Sequence, residues 1–406
     1  MYIKRHLETA VLERANEKGA IVVTGARQVG KTTMIEKIKP KIAKVTFDDL
    51  AVRNRAIDEP SAFLQLNPPP IFIDEVQYAP EIFSYIKLYL DKSRHKGDYF
   101  LTGSQSFELM KNVTESLAGR AGVLELLGLS LREIRKEKWN EPFIPTLDYL
   151  LQRKEKKTNM QIKEVWKIIH RGSMPELYAQ PDFNWQNFYS DYVKTYIERD
   201  VRKLTQVADE ADFLKFMTVC ASMTGNLLNL ASVARDVGIS EPTAKRWLSI
   251  LRTSGIVYLL KPYSNNAIKR TVKTPKLYFL DTGLAAYLTR WLTAETLSEG
   301  AVSGQFFETF VISELLKSYL NAGKEEDFYF LRDSNGKEID LLIFQDNTLF
   351  PLEIKQHANP TKKDIIHFSM LDSIKNVNIG EGGVLCLSQD LLPLSDKYRI
   401  IPLWAV

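Results

Sequence analysis

Along the first third of the chain, runs of consecutive apolar residues alternate with stretches whose apolar positions recur every three or four residues. The runs are AIVVTG (20–25), AKVTFDD (43–49), PIFIDEV (70–76), DYFLTGS (98–104) and VLELLGLS (123–130). Short continuous runs separated by helical patterns predict an α/β unit with a largely parallel sheet, from Ala20 to about Arg132. The stretch 135–160 is charged and broken by prolines, so it reads as a connection that closes a first domain, 1–160. Residues 161–226 turn to helical spacing rich in aromatics, as in WQNFYSDYVKTYIERDVRKL (185–204), and predict a helical lid. Residues 227–295 read as two short helices, a turn and two strands. After the break LTAETLSEGAVSGQ (292–305), a last α/β unit covers 303–406.

Bulk properties narrow this picture only a little. A chain of 406 residues holds several domains, and 45% apolar with 26% charged residues is ordinary for a globular protein. The net charge of +4 confines any nucleic-acid surface to a local patch. Cys220 and Cys386 sit far apart in apolar settings, which excludes a disulfide framework and a Cys/His zinc cluster. The opening MYIKRHLETAVLERANEKGAIVV lacks a leader's apolar core, and no apolar stretch reaches the roughly 18 residues of a membrane helix. A soluble protein of the cytoplasm, with no membrane partner, is expected.

The stretch GARQVGKTT (25–33) matches G-x-x-x-x-G-K-[ST], with a strand before it and a helical pattern after it. Gly25 and Gly30 let backbone N–H groups curl around phosphates, and the following helix adds its positive end. Lys31 then reaches the outer phosphates of ATP, and Thr32, followed by Thr33, offers a hydroxyl to Mg²⁺. The strand PIFIDEVQ ends on Asp74, placed to hold the metal, and Glu75, placed to polarise the attacking water. Ser104, at the end of a third strand, reads either as a γ-phosphate sensor or as a serine at the start of a loop. Arg120 reads either as an arginine finger working across a subunit contact or as a surface arginine. In these residues the chain resembles the AAA-type P-loop ATPases. More narrowly, it is similar to a bacterial and archaeal group that carries GARQVGKTT, FIDEVQ, LTGSQS and YIERDV. The resemblance implies ATP binding and hydrolysis, and makes Arg199, beside Asp200, a lid residue that reports on nucleotide; a helix-surface ion pair is the other reading, and a homo-oligomer stands among the expected partners.

The segment LASVARDVGISEPTAKRWLSILRTSGIVYLL (230–260) predicts a winged helix. Gly238 takes the turn, Ser240 caps the second helix, and Val237, Ile239, Ala244, Trp247 and Leu248 form the seam. Lys245 and Arg246 fall on the exposed face. Lys269 and Arg270 with Lys273 and Lys276 make a basic wing tip, so DNA is the expected partner. A winged helix used for protein contact is the other reading.

In the last unit, the helix QFFETFVISELLKSYL (305–320) puts Glu308 on its apolar side and Glu314 on a solvated face with Lys317 and Ser318. Three strands follow, DFYFLRD, EIDLLIF and LFPLEIK, in which Asp340 comes beside Glu353 while Lys355 shares the face of Glu353. This layout resembles the core of the PD-(D/E)XK nucleases, with Ile339 where the name has proline. The resemblance maps the metal-binding carboxylates to Asp340 and Glu353, a supporting acid to Glu308 and a water-positioning amine to Lys355. Two carboxylates and the Ile354 carbonyl suffice for Mg²⁺, which keeps several waters. The expected whole is an ATPase whose nucleotide state controls a DNA-binding winged helix and a metal-dependent nuclease. The rival is a non-cleaving switch or scaffold that uses the same modules to bind protein or nucleic acid.

Overall fold

The computed structural model describes residues 2–103, 113, 115–156, 160–196, 210–264 and 273–406. Ser104, Arg199, Asp200, Lys269 and Arg270 lie outside the described residues. No described helix is long and apolar enough to cross a membrane.

The alternating runs of the first third form the expected parallel sheet. Its strands are β1 (Ala20–Thr24), β2 (Ala43–Thr46), β3 (Ile71–Asp74), β4 (Tyr99–Thr102) and β5 (Ala121–Glu125), in the order β2-β3-β4-β1-β5. β1, β3 and β4 are buried along their whole length, because helices cover both faces; this is why their sequences do not alternate. The carboxyl ends of β1, β3 and β4 bring Gly25, Asp74 and Thr102 to one edge.

A second, ten-stranded sheet runs through the rest of the chain. Residues 226–279 supply β6 (Asn226–Leu227), β7 (Val257–Pro262) and β8 (Lys276–Phe279), an antiparallel set in the order β6-β8-β7. β9 (Phe328–Arg332), β10 (Glu338–Gln345) and β11 (Thr348–Lys355) form an antiparallel meander. β12 (Asn378–Ile379) and β13 (Gly382–Cys386) run parallel to β11. The far edge is β14 (Leu392–Pro393) beside β15 (Tyr398–Pro402). The two groups are joined by a parallel pairing of β7 with β9, Lys261 opposite Tyr329 and Pro262 opposite Phe330. Strands from either side of residue 300 therefore share one sheet.

The long helix Ser303–Asn321 corrects one expectation. Glu314, Lys317 and Ser318 are not solvated: they are 3%, 2% and 4% exposed. One face of the helix packs on β8 and β11, and the opposite face docks on the first domain. Leu131 N–H donates to Glu314 (2.6 Å), Phe143 N–H donates to the Ser318 hydroxyl (3.1 Å), and Lys317 donates to the Leu129 carbonyl (3.0 Å) and to Glu314 (2.8 Å). The polar face is an internal contact whose charges are paired with one another, as burial demands. The C-terminal residues dock on the same domain, where Arg132 donates to the Val406 carbonyl and Tyr149 to the Ala405 carbonyl.

Candidate nucleotide and metal sites

The loop between β1 and the helix Lys31–Ile38 is shaped by its glycines. Gly25 adopts φ 141°, and a Cβ there would lie 2.1 Å from the Leu126 carbonyl oxygen; Gly30, at φ 91°, caps the helix in the left-handed region. Lys31 is nearly buried and its amine donates to the loop carbonyls of Gly25 (2.9 Å) and Ala26 (2.8 Å). Thr32 donates to both carboxylate oxygens of Asp74 at 3.0 Å, and Thr102 donates to the same carboxylate. The helix after the phosphate loop and the ends of β3 and β4 are thus tied through Asp74. Glu75 follows at φ 55°, its carboxylate taking a hydrogen bond from Gln77.

These residues open on a cavity of about 670 Å³, large enough for a nucleotide. It is lined by Gly30, Lys31, Thr32, Thr33 and Glu75, by Tyr2, Ile3 and Arg5, and by Pro175, Glu176 and Gln180 of the predicted lid. Arg5 is buried and donates to the carbonyls of Val29 (2.7 Å) and Leu127 (2.8 Å) and to Glu133 (3.0 Å), which clamps the phosphate loop to the segment after β5. Arg120 lies elsewhere. It precedes β5, next to the paired Ala20 and Ala121, whereas the loop follows the paired Thr24 and Glu125, about 13 Å away at the other end of the sheet. There it pairs with Asp91, so it does not join the nucleotide site of its own chain.

In the second sheet, Asp340 and Glu353 extend one residue beyond the paired Leu341 and Leu352, on adjacent strands. Asp340 accepts from Ile354 N–H (2.8 Å) and from Lys355 (3.1 Å), and Lys355 also donates to Glu353 (2.7 Å). Burial first, then the charge of Asp340, pushes the Glu353 carboxyl up to about 9. Burial also works against the charge on Asp340, yet Lys355 and Lys276 hold its carboxyl below the usual range. The pair therefore shares one proton, with Glu353 as its holder. Glu308 does not complete a three-acid ligand group; among the described residues no such group of His, Cys, Asp and Glu exists. It accepts instead from Lys276 (2.9 Å) and Tyr278 (2.6 Å) of β8. The fit to a cation rests on Glu353 Oε1, which is buried and meets no donor. A proton on Glu353 or a bound cation held by Asp340 and Glu353 would satisfy that atom.

Residues 17–135 match the family described as AAA domain. The first unit is an AAA-type P-loop domain. Residues 162–295 and 303–406 match two families described as domains of unknown function, DUF8612 and DUF4143. Over 404 residues the chain is 26% identical to an uncharacterized protein of Mycobacterium tuberculosis, Rv2008c, covering 99% of this chain and 84% of that one. It is 22% identical over 414 residues to the uncharacterized protein MJ1544 of Methanocaldococcus jannaschii, covering 94% and 87%. Among solved structures, the Thermotoga maritima RuvB Holliday junction branch migration motor aligns with a TM-score of 0.28 at 14% identity, covering 62% of this chain and 86% of that one. AMPPCP-bound DnaA from Aquifex aeolicus gives 0.25 at 15% identity, covering 61% and 85%. Likenesses at those scores bear no argument about function.

Outside the AAA domain, the helices Leu230–Val237 and Glu241–Thr253 meet at Gly238, whose φ is 91°. Ser240 caps the second helix by accepting from Thr243 N–H, and Val237, Ala244, Trp247 and Leu248 are buried in the seam while Ile239 is half-buried. Lys245, Arg246 and Arg252 project to solvent. Lys276, counted from sequence in the basic wing tip, does not: it is 2% exposed and pairs with Glu308 and Glu338 (2.5 Å). Sequence reading also missed Thr102, Arg5 and which residues of the lid line the cavity. Of these only Thr102 carried a local signal, as the last hydroxyl of an apolar strand beside the DE pair.

Proposed function

We propose that this chain is an ATPase whose nucleotide-bound state is relayed to a nucleic-acid-binding winged helix and to a divalent-metal-dependent phosphodiesterase site in the second sheet. The observation that carries the ATPase half is the joint hold of Thr32 and Thr102 on Asp74, with Thr32 itself lining a nucleotide-sized cavity. Lys31 would bind the outer phosphates, Thr32 and Asp74 would hold Mg²⁺, and Glu75, also in the cavity wall, would orient the attacking water. Arg120 can reach a nucleotide only on a neighbouring copy, so an oligomer belongs to this reading.

In the second sheet, Asp340, Glu353 and the Ile354 carbonyl would hold one divalent ion, with Lys355 positioning water. When bound, such an ion supplies an activated water and steadies charge on the phosphate. The unmet oxygen of Glu353 supports this assignment. With Mg²⁺ or Mn²⁺ present, the pure protein is expected to cleave DNA, and Asp340→Ala is expected to fall to background; gel assays with and without ATP decide it. One observation favours the non-cleaving alternative: Lys355 already bridges both carboxylates and Lys276 occupies Glu308. Identical behaviour of the two proteins in those assays would leave docking as the role of this unit.

The exposed pair Lys245 and Arg246 supports a duplex footprint. Replacing both with alanine is expected to weaken DNA binding and to shrink the slope of log affinity against log salt by about 1.8, two phosphates at about 0.9 each. Fluorescence anisotropy over a salt series measures this, and unchanged binding at low salt would assign the winged helix to protein contact.

A further inference from the structure

We propose that Lys276 stands where a second metal ion would otherwise sit, so that the site in the second sheet takes one divalent cation and no more. The proposal rests on the phosphodiesterase reading above. Lys276 does not belong to the unit that carries Asp340 and Glu353; it comes from β8, where it is paired on both sides, with Leu260 of β7 and Leu227 of β6. Its backbone is therefore fixed, and its side chain is 3% exposed. The ammonium lies 2.9 Å from Glu308 and 2.5 Å from Glu338, so two carboxylates converge on a single cation position that is already filled. Tyr278, two residues along the same face of β8, fixes Glu308 from a second direction.

Charge leads to the same count. With Glu353 holding the proton of its pair, the carboxylates of Glu308, Glu338 and Asp340 balance the cations Lys276, Arg332 and Lys355. An ion that displaces that proton would take up the buried, unmet oxygen of Glu353. That gives a place to one divalent ion. A second ion would have to take Glu308 from an ammonium held within hydrogen-bond distance, against the repulsion of like charges in a buried setting. A preceding module thus sets the metal count of the sheet it adjoins.

The test is Mn²⁺ binding to the full chain without nucleotide, by equilibrium dialysis and electron paramagnetic resonance. The Mn²⁺ bound by an Asp340→Asn/Glu353→Gln chain is subtracted as the share of all other sites. The wild type is expected to bind one ion at this site. Lys276→Met is expected to bind two, with the spectral broadening of a close Mn²⁺ pair, and Lys276→Met/Glu308→Gln is expected to return to one. If Lys276→Met does not fold, Lys276→Met/Glu338→Gln removes one stranded acid and is still expected to bind two. One ion in the wild type and in whichever of these two variants folds overturns the role of Lys276 alone. No ion in the wild type overturns the phosphodiesterase reading beneath it, and two in the wild type overturn the one-ion count.

Discussion

Lys31→Ala is expected to lower ATP turnover by about 10²-fold or more and to weaken nucleotide binding, as measured by phosphate release and by titration with a fluorescent nucleotide. The loop is built to present one amine. Gly25 admits the Leu126 carbonyl against its α-carbon, Gly30 turns the chain into the helix, and Lys31 is held inward on the carbonyls of Gly25 and Ala26. A phosphate group draws the amine off those two neutral acceptors to a fully charged one, a stronger charge-assisted bond. The substitution leaves the loop's other supports in place, namely the Arg5 clamp on Val29 and the Thr32–Asp74 bond. A thermal melt close to that of the wild type, together with lost turnover, therefore separates lost chemistry from lost fold. Retained turnover would contradict the assignment of the cavity to ATP.

What could be read without the structure follows the range of the interactions. The phosphate loop, the DE pair and the capped turn at Ser240 are local patterns: each needs a few adjacent residues and a strand or helix beside them, and each appears where expected. The direction of Glu308 was legible from helical periodicity, but not its partner, because Lys276 lies some thirty positions earlier on another strand. Lys276 itself looked like one more basic residue near a wing, and only the pairing of β7 with β9 turns that region into the flank of the second sheet. Glu314 was misread for a related reason. Periodicity assumes that a helix has one buried face, and this helix is buried on two. Arg5 was invisible because its partners, Val29, Leu127 and Glu133, are distant in sequence and two are backbone carbonyls.

Glu314→Ala is expected to destabilise the folded chain by about 3–5 kcal/mol, the usual cost of removing one member of a buried ion pair. Lys317, 2% exposed, would keep its charge with only the Leu129 carbonyl as partner, and Leu131 N–H would lose its acceptor. Chemical denaturation of the variant and the wild type measures the difference, and a loss below about 1 kcal/mol would mean that the contact opens to water. Lys317→Met in the same chain is expected to recover a large part, since it removes the stranded charge and keeps the volume. The position matters beyond stability, because residues 126–132 are where the other parts of the molecule meet. Leu126 N–H bonds the Thr24 carbonyl beside the phosphate loop, Leu129 N–H bonds the Ser173 carbonyl just before the cavity wall at Pro175, and Leu131 N–H bonds Glu314. Ser173 is tied in turn to Asp281, which also accepts from Tyr189 (2.6 Å) and caps the helix after β8. On the reading proposed above, a nucleotide that shifts the loop or Pro175 would pull on one segment bonded to both later units. If that segment is the relay, a Glu314→Ala chain that still binds ATP should lose the effect of ATP on DNA binding or cleavage, while a purely structural contact would lower stability and leave the ATP effect intact.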